Sequence, residues 1–242
     1  MKLVGERRAL AAAVFAFYFL LMLLQALMSP EPLKPAMYAL SGVYGLAFFS
    51  LVAGYFWARW YAVGVGIFGV IVGVVGIWQL GAMEPVMVFF GGTHLGAALV
   101  LWGDKMSEPY EGQAAWRERY HMDDNAVQRL GRSVMRAGVS LPFVLLYGLM
   151  PKPDGTTGAL VVAGLTIAGF AGIVKLRTWG VFALTAAGVV AVATGLFGAP
   201  TTLVVGRVGV SSLAISPVLV GVLLLLAAAP FVQPMRRWIA AR

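Results

Sequence analysis

No cysteine occurs in the 242 residues. Disulfides, thiolate metal sites, iron–sulfur clusters and cysteine nucleophiles are therefore all excluded. Charge is scarce too, with 12% Asp, Glu, Lys and Arg, and acids are fewer than bases, 10 against 18. Histidine occurs only as His94 and His121. So small a set offers no His/Asp/Glu cluster with metal-ligand spacing, which argues against the metal-dependent membrane hydrolases. Ser211, Ser212 and Ser216 have no histidine or lysine nearby in sequence to serve as a base, so a serine nucleophile is not expected. No charged side chain falls clearly inside an apolar stretch, although Lys175 can snorkel to a surface. Ion-coupled transporters and proton pumps usually place carboxylates at mid-membrane, so the sequence disfavours that class.

What is abundant is apolar surface. Hydrophobic content of 60% and a mean hydropathy of +0.86 rule out an ordinary soluble domain. Eight hydrophobic segments stand out: Ala9–Met28, Ala36–Phe56, Tyr61–Leu80, Pro85–Trp102, Val134–Met150, Thr157–Val174, Trp179–Phe197 and Leu213–Ala229. Each approaches the roughly 20 residues that a helix needs to cross about 30 Å of hydrocarbon. The expected fold is an all-α integral membrane protein with eight transmembrane helices.

Alternate loops collect the positive charge. Fifteen of the 18 basic residues fall on one side, leaving only Lys34, Lys152 and Arg207 on the other. By the positive-inside rule both termini lie in the cytoplasm. Trp57, Trp60, Trp102, Trp179 and Trp238 fall at the same predicted boundaries, where amphipathic rings prefer to sit. The net charge of +8 is spread along this face, which fits topology and attraction to anionic lipid, and no nucleic-acid partner is expected. Lys2, Arg7 and Arg8 precede an apolar run too long for a signal peptide and without a good cleavage site, so it reads as a retained first helix. Richness in Ala, Gly, Val and Arg suits a bacterial inner membrane.

The halves overlay at an offset of about 118–125 residues. Ser29-Pro30-Glu31-Pro32 faces Met150-Pro151-Lys152-Pro153, and Trp57-Ala58-Arg59-Trp60 faces Leu176-Arg177-Thr178-Trp179. Four helices per half is an even number, so the expected arrangement is two tandem repeats in parallel orientation about a pseudo-two-fold axis. The divisions are 1–106, a cytoplasmic connector over 107–125 with an interfacial helix or ordered loop, and 126–242. The tight basic turn after the second helix of each unit resembles small four-helix bacterial membrane families such as the DoxX-like proteins. That resemblance implies a four-helix unit and carries no activity.

His94, deep in Phe89-Phe90-Gly91-Gly92-Thr93-His94-Leu95-Gly96, is the leading site candidate, because an ionisable group at that depth is costly. A neutral packing histidine, a solute- or quinone-binding histidine and a haem or chlorin ligand are the competing readings, and no cofactor is expected under the first. Gln25 and Gln79 are the strongest uncharged polar groups in the helices, read as interhelical hydrogen bonds or cavity groups. Glu84 before Pro85 reads as a helix-terminus carboxylate. Gly66, Gly69, Gly73 and Gly76 form a small-residue face for helix packing. Trp116, Arg117 and Arg119 of the connector, and Arg129, Arg132 and Arg136 of the next helix, read as an anionic-lipid anchor or a docking surface for a partner. The leading functional expectation is a non-catalytic subunit or scaffold of a larger membrane complex. A small-solute or lipid transporter with its site between the repeats is the alternative, and an electron-transfer subunit using His94 the third.

Overall fold

The computed structural model describes residues 3–80, 85–150, 157–197 and 216–240. Ten helices account for most of them: α1 Val4–Met28, α2 Lys34–Ala53, α3 Ala58–Leu80, α4 Pro85–Leu101, α5 Ala114–Tyr120, α6 Asp124–Leu149, α7 Thr157–Val174, α8 Thr178–Phe197, α9 Pro217–Ala228 and α10 Val232–Ala240. No strand occurs among the described residues. Six helical spans, α1, α2, α3, α7, α8 and the run Pro217–Pro234 that begins with α9, are long and apolar enough to cross a membrane, which makes the chain a multi-pass helical integral membrane protein. α4 is apolar but shorter, at 17 residues. α6 runs for 26 residues and carries Arg129, Arg132 and Arg136 on its first turns.

Boundaries follow local chemistry. α2 stops at Ala53 rather than Phe56 because Gly54 takes φ +73, and its N–H bonds back to Ser50 and Leu51. The connection to α3 is therefore Gly54–Trp57, and Arg59 stands inside the first turn of α3 instead of in a turn. α7 ends in the same way on Leu176, at φ +56, where a side chain is less easily accommodated. Asp123 caps α6, its carboxylate accepting from the Ala126 N–H at 2.6 Å.

In the first half α1 packs on α2, α2 on α3, α3 on α4, and α4 back on α1; α6, α7, α8 and α9 close the same cycle. Glycine sets how closely neighbours approach. A Cβ on Gly66 would meet Ala98 and the His94 carbonyl, and one on Gly73 would meet Gly91. In the second half Gly188 meets Leu225 and the Gly221 carbonyl, while Gly195 meets Val218. Similar glycine contacts thus join α3 to α4 and α8 to α9, with Gly221 lending its carbonyl to Gly188 as His94 does to Gly66.

The halves join where α6 lies against α3 and α2. Gly131 takes the Trp60 indole, Gly138 approaches Gly64, and Phe143 meets Phe68 with ring centroids 4.8 Å apart. Contacts that climb both helices together mean that α3 and α6 run parallel. A pseudo-two-fold axis would require a matching seam of α1 on α8, but no comparable packing joins those helices. Among the described residues the halves meet through one seam, that of α6 against α3 and α2.

Candidate functional site

A polar cluster is sealed inside the first half. His94 is 0% exposed on α4. Its Nδ1 lies 2.7 Å from the Phe90 carbonyl one turn back, and its Nε2 2.9 Å from the Tyr44 hydroxyl of α2. A carbonyl only accepts, so Nδ1 carries the proton and neutral Nε2 accepts from Tyr44. Thr93 donates to the Phe89 carbonyl at 2.7 Å, a self-contained helix bond, which leaves its oxygen to accept from Tyr18 of α1 at 2.6 Å. Tyr18 and Phe90 crowd the imidazole with ring centroids 4.3 and 4.2 Å away. Gly69 of α3 backs the ring so closely that a Cβ there would collide with Cγ and Cδ2.

This geometry does not fit a haem or chlorin. An axial ligand needs a free ring nitrogen with open space before it. Both nitrogens of His94 are engaged, and aromatic rings occupy the surrounding space. His121, the other histidine, ends α5 in a left-handed conformation outside the bundle. The cluster also belongs to one half alone. With the Gly54 and Leu176 caps aligned in sequence, Thr166 corresponds to Tyr44, and among the described residues its hydroxyl donates to the Val162 carbonyl one turn back.

Gln25 and Gln79 do not join His94. Gln25 is exposed near the end of α1 and Gln79 half-exposed near the end of α3. They lie about 10 and 15 Å along their helices from Tyr18 and Gly69. Glu84, Ser211, Ser212 and the stretches 151–156 and 198–215 lie outside the described residues, as does the side chain of Trp238. Gly66, Gly69, Gly73 and Gly76 all face α4.

A second polar region lies at the basic end of the bundle. Four arginines there bond the terminal carbonyls of neighbouring helices. Arg8 reaches Leu51 at 3.0 Å on α2, and Arg7 reaches Val100 at 2.7 Å and Trp102 at 2.6 Å at the end of α4. Arg59 adds Leu101 at 3.3 Å, and Arg136 bonds Leu226 of α9 at 2.8 Å. Terminal carbonyls lack intrahelical donors and carry the negative end of the helix dipole, so a cation there satisfies both needs.

The connector is tucked into this end rather than lying loose on the surface. Met106 and Tyr110 are fully buried, and Glu111 is 5% exposed. Glu111 pairs with Arg59 through one carboxylate oxygen, while Arg117 bonds the Glu111 carbonyl and Asp124. Trp116 and Tyr120 stack at 5.9 Å and pack on Phe56, with Arg119 over both rings. Burial pushes the Tyr110 hydroxyl above the usual tyrosine range, against the pull of nearby Arg8 and Arg59. Of the residues expected to face a partner, Trp116, Arg117 and Arg136 are thus engaged within the chain. Arg129 is half-buried and Arg132 exposed.

Between the halves the basic end opens into a cleft of about 540 Å³. Arg59, Trp60 and Val63 of α3 form one wall, and Gly131, Arg132 and Met135 of α6 the other. Asp104 comes from the short turn after α4, and Glu111 from the connector. Above it, Gly64 closes on Met135 and Gly138. Sequence reasoning passed over Tyr18, Tyr44 and Glu111. The hydroxyls of Tyr18 and Tyr44 at mid-helix were a readable signal, whereas nothing local marked Glu111 for burial. Compared with known proteins, the chain matches no protein family, no curated protein and no solved structure.

Proposed function

We propose that the protein is a non-catalytic integral membrane subunit, a scaffold that packs against other helical subunits of a larger membrane complex. One observation carries this reading: the outward face of α4 keeps an unused close-packing site. Gly92 and Gly96 are exposed, with no atom within 4 Å of where a Cβ would stand, whereas Gly66, Gly69, Gly73 and Gly76 are filled by α4 itself. Spaced four apart and flanked by exposed Phe89, Leu95 and Leu99, they form a small-x-x-x-small seam open to a further transmembrane helix. The inward groups meanwhile serve structure, His94 through both nitrogens and the arginines through carbonyl caps.

The same reading has eight spans, adding α4 and the apolar part of α6 to the six long helices. Parallel α3 and α6, together with the recurring glycine contacts, support two tandem four-helix repeats in the same orientation. The arginine-rich end is the cytoplasmic one, which puts both termini inside, in a bacterial inner membrane with anionic lipid around the exposed Arg132. Extraction in a mild detergent followed by native mass measurement tests the scaffold. A stoichiometric membrane partner, lost on Gly92→Leu with Gly96→Leu, upholds it. A lone protein that moves solute in liposomes overturns it.

The cleft favours a second reading, a small-solute or lipid transporter with its site between the repeats. Flux across liposomes that falls on Arg132→Gln would support it.

A further inference from the structure

Among the described residues, two charged atoms of side chains that line the cleft are buried without a partner, as is the neighbouring Tyr110 hydroxyl. The Arg59–Glu111 pair uses one carboxylate oxygen and one terminal guanidinium nitrogen, leaving Glu111 Oε2 and Arg59 Nε with none. A buried polar atom with no partner is costly, and a charged one more so. Arg132 lines the same space from α6 and makes no ion pair among the described residues, and Asp104 adds a carboxylate from the turn after α4. Donors and acceptors therefore line one cavity together.

We propose that this cleft binds a small zwitterion, a phosphate or carboxylate group joined to a primary ammonium, of the kind that a phosphoethanolamine headgroup presents. An anion alone would meet Arg59, Arg117 and Arg132 but be opposed by Glu111, Asp104 and Asp124. A cation alone meets the reverse. A zwitterion answers both: its anionic end accepts from Arg132 and its ammonium is drawn to the Glu111 and Asp104 carboxylates, with Glu111 Oε2 and the Arg59 Nε–H gaining partners as those two side chains turn into the cleft. The volume of about 540 Å³ is that of an ordinary small-ligand site. Trp60 and Trp102 line it where the apolar spans end, the level at which lipid headgroups lie. A choline headgroup carries no N–H and cannot make the Glu111 bond, and a glycerol headgroup brings no cation. The cleft therefore discriminates by the ammonium protons.

The test uses the delipidated full chain and native mass spectrometry with equal amounts of dioleoyl phosphatidylethanolamine, phosphatidylcholine and phosphatidylglycerol. Phosphatidylethanolamine adducts should exceed the other two by about tenfold, the effect of one charge-assisted hydrogen bond. Glu111→Gln should remove that preference. Because Glu111→Gln also disturbs the buried pair with Arg59, Arg132→Gln is the companion variant: on an exposed side chain, it should weaken phosphatidylethanolamine binding with an unchanged melting temperature. Soluble O-phosphoethanolamine separates the sources. If it binds while the lipid does not, the zwitterion is a free solute; if the lipid binds and it competes, the ligand is the headgroup. Equal binding of all three lipids with no binding of the soluble probe overturns the proposal, as does selectivity unchanged by both variants. Loss of a partner protein would leave these results untouched, so the scaffold reading and this one fail separately.

Discussion

Arg136 of α6 donates to the carbonyl of Leu226, the one carbonyl of α9 whose regular helical donor would be residue 230, a proline. Proline has no N–H, so α9 would otherwise end with that acceptor open. An arginine 90 positions away in sequence supplies it.

Arg136→Ala should therefore destabilise the bundle by about 1–2 kcal/mol, read as a lowered melting temperature in detergent. Pro230→Ala restores the missing N–H, and in that background the same Arg136→Ala should cost clearly less. Equal costs in both backgrounds would refute the link between these residues.

Two glycine substitutions should act in opposite directions. Gly69→Ala places a methyl group on an imidazole that Tyr18, Tyr44 and Phe90 hold in place, and overpacking of this kind costs about 1–3 kcal/mol. Gly92→Ala meets open space in a helix, where alanine is favoured by about 0.5–1 kcal/mol. Thermal unfolding of the two variants side by side checks the sign.

Within the buried cluster, His94→Leu leaves the Tyr44 hydroxyl without its acceptor and the Phe90 carbonyl without the imidazole N–H, and should cost about 1–3 kcal/mol. Tyr44→Phe removes one end of the same bond. The double variant should cost less than the sum of the singles, which a double-mutant cycle measures. Strict additivity would mean that the two side chains are not coupled.

Absence of native cysteine makes the topology directly testable. With Ala115→Cys in the connector and Gly155→Cys between α6 and α7, a membrane-impermeant maleimide should label the first only from the cytoplasm. The second should react only from outside. Labelling of both from one side would rule out eight spans with both termini inside.

The glycine face Gly66–Gly76 and the long apolar helices were readable because hydrophobicity and close packing repeat along one helix, within a few residues of each other. Helix ends were less so. Gly54 stops α2 two residues before the apolar run does, since the run reports burial and the glycine reports backbone conformation. His94 stood out by cost, but its pairing with Tyr44 did not, since the two are 50 residues apart.

Transfer energy and helical rise are local properties, so a helical membrane protein with its basic residues in alternate loops is legible from the residues alone. What those basic residues do follows from how the helices pack. The Arg59–Glu111 pair, the Arg7 bond to Val100 and the cleft between α3 and α6 join groups 52 to 93 positions apart, or lie where two helices meet. No local period encodes such pairings; they follow from which helix faces can approach, and that is set where Gly64, Gly131 and Gly138 have no side chain to keep the halves apart.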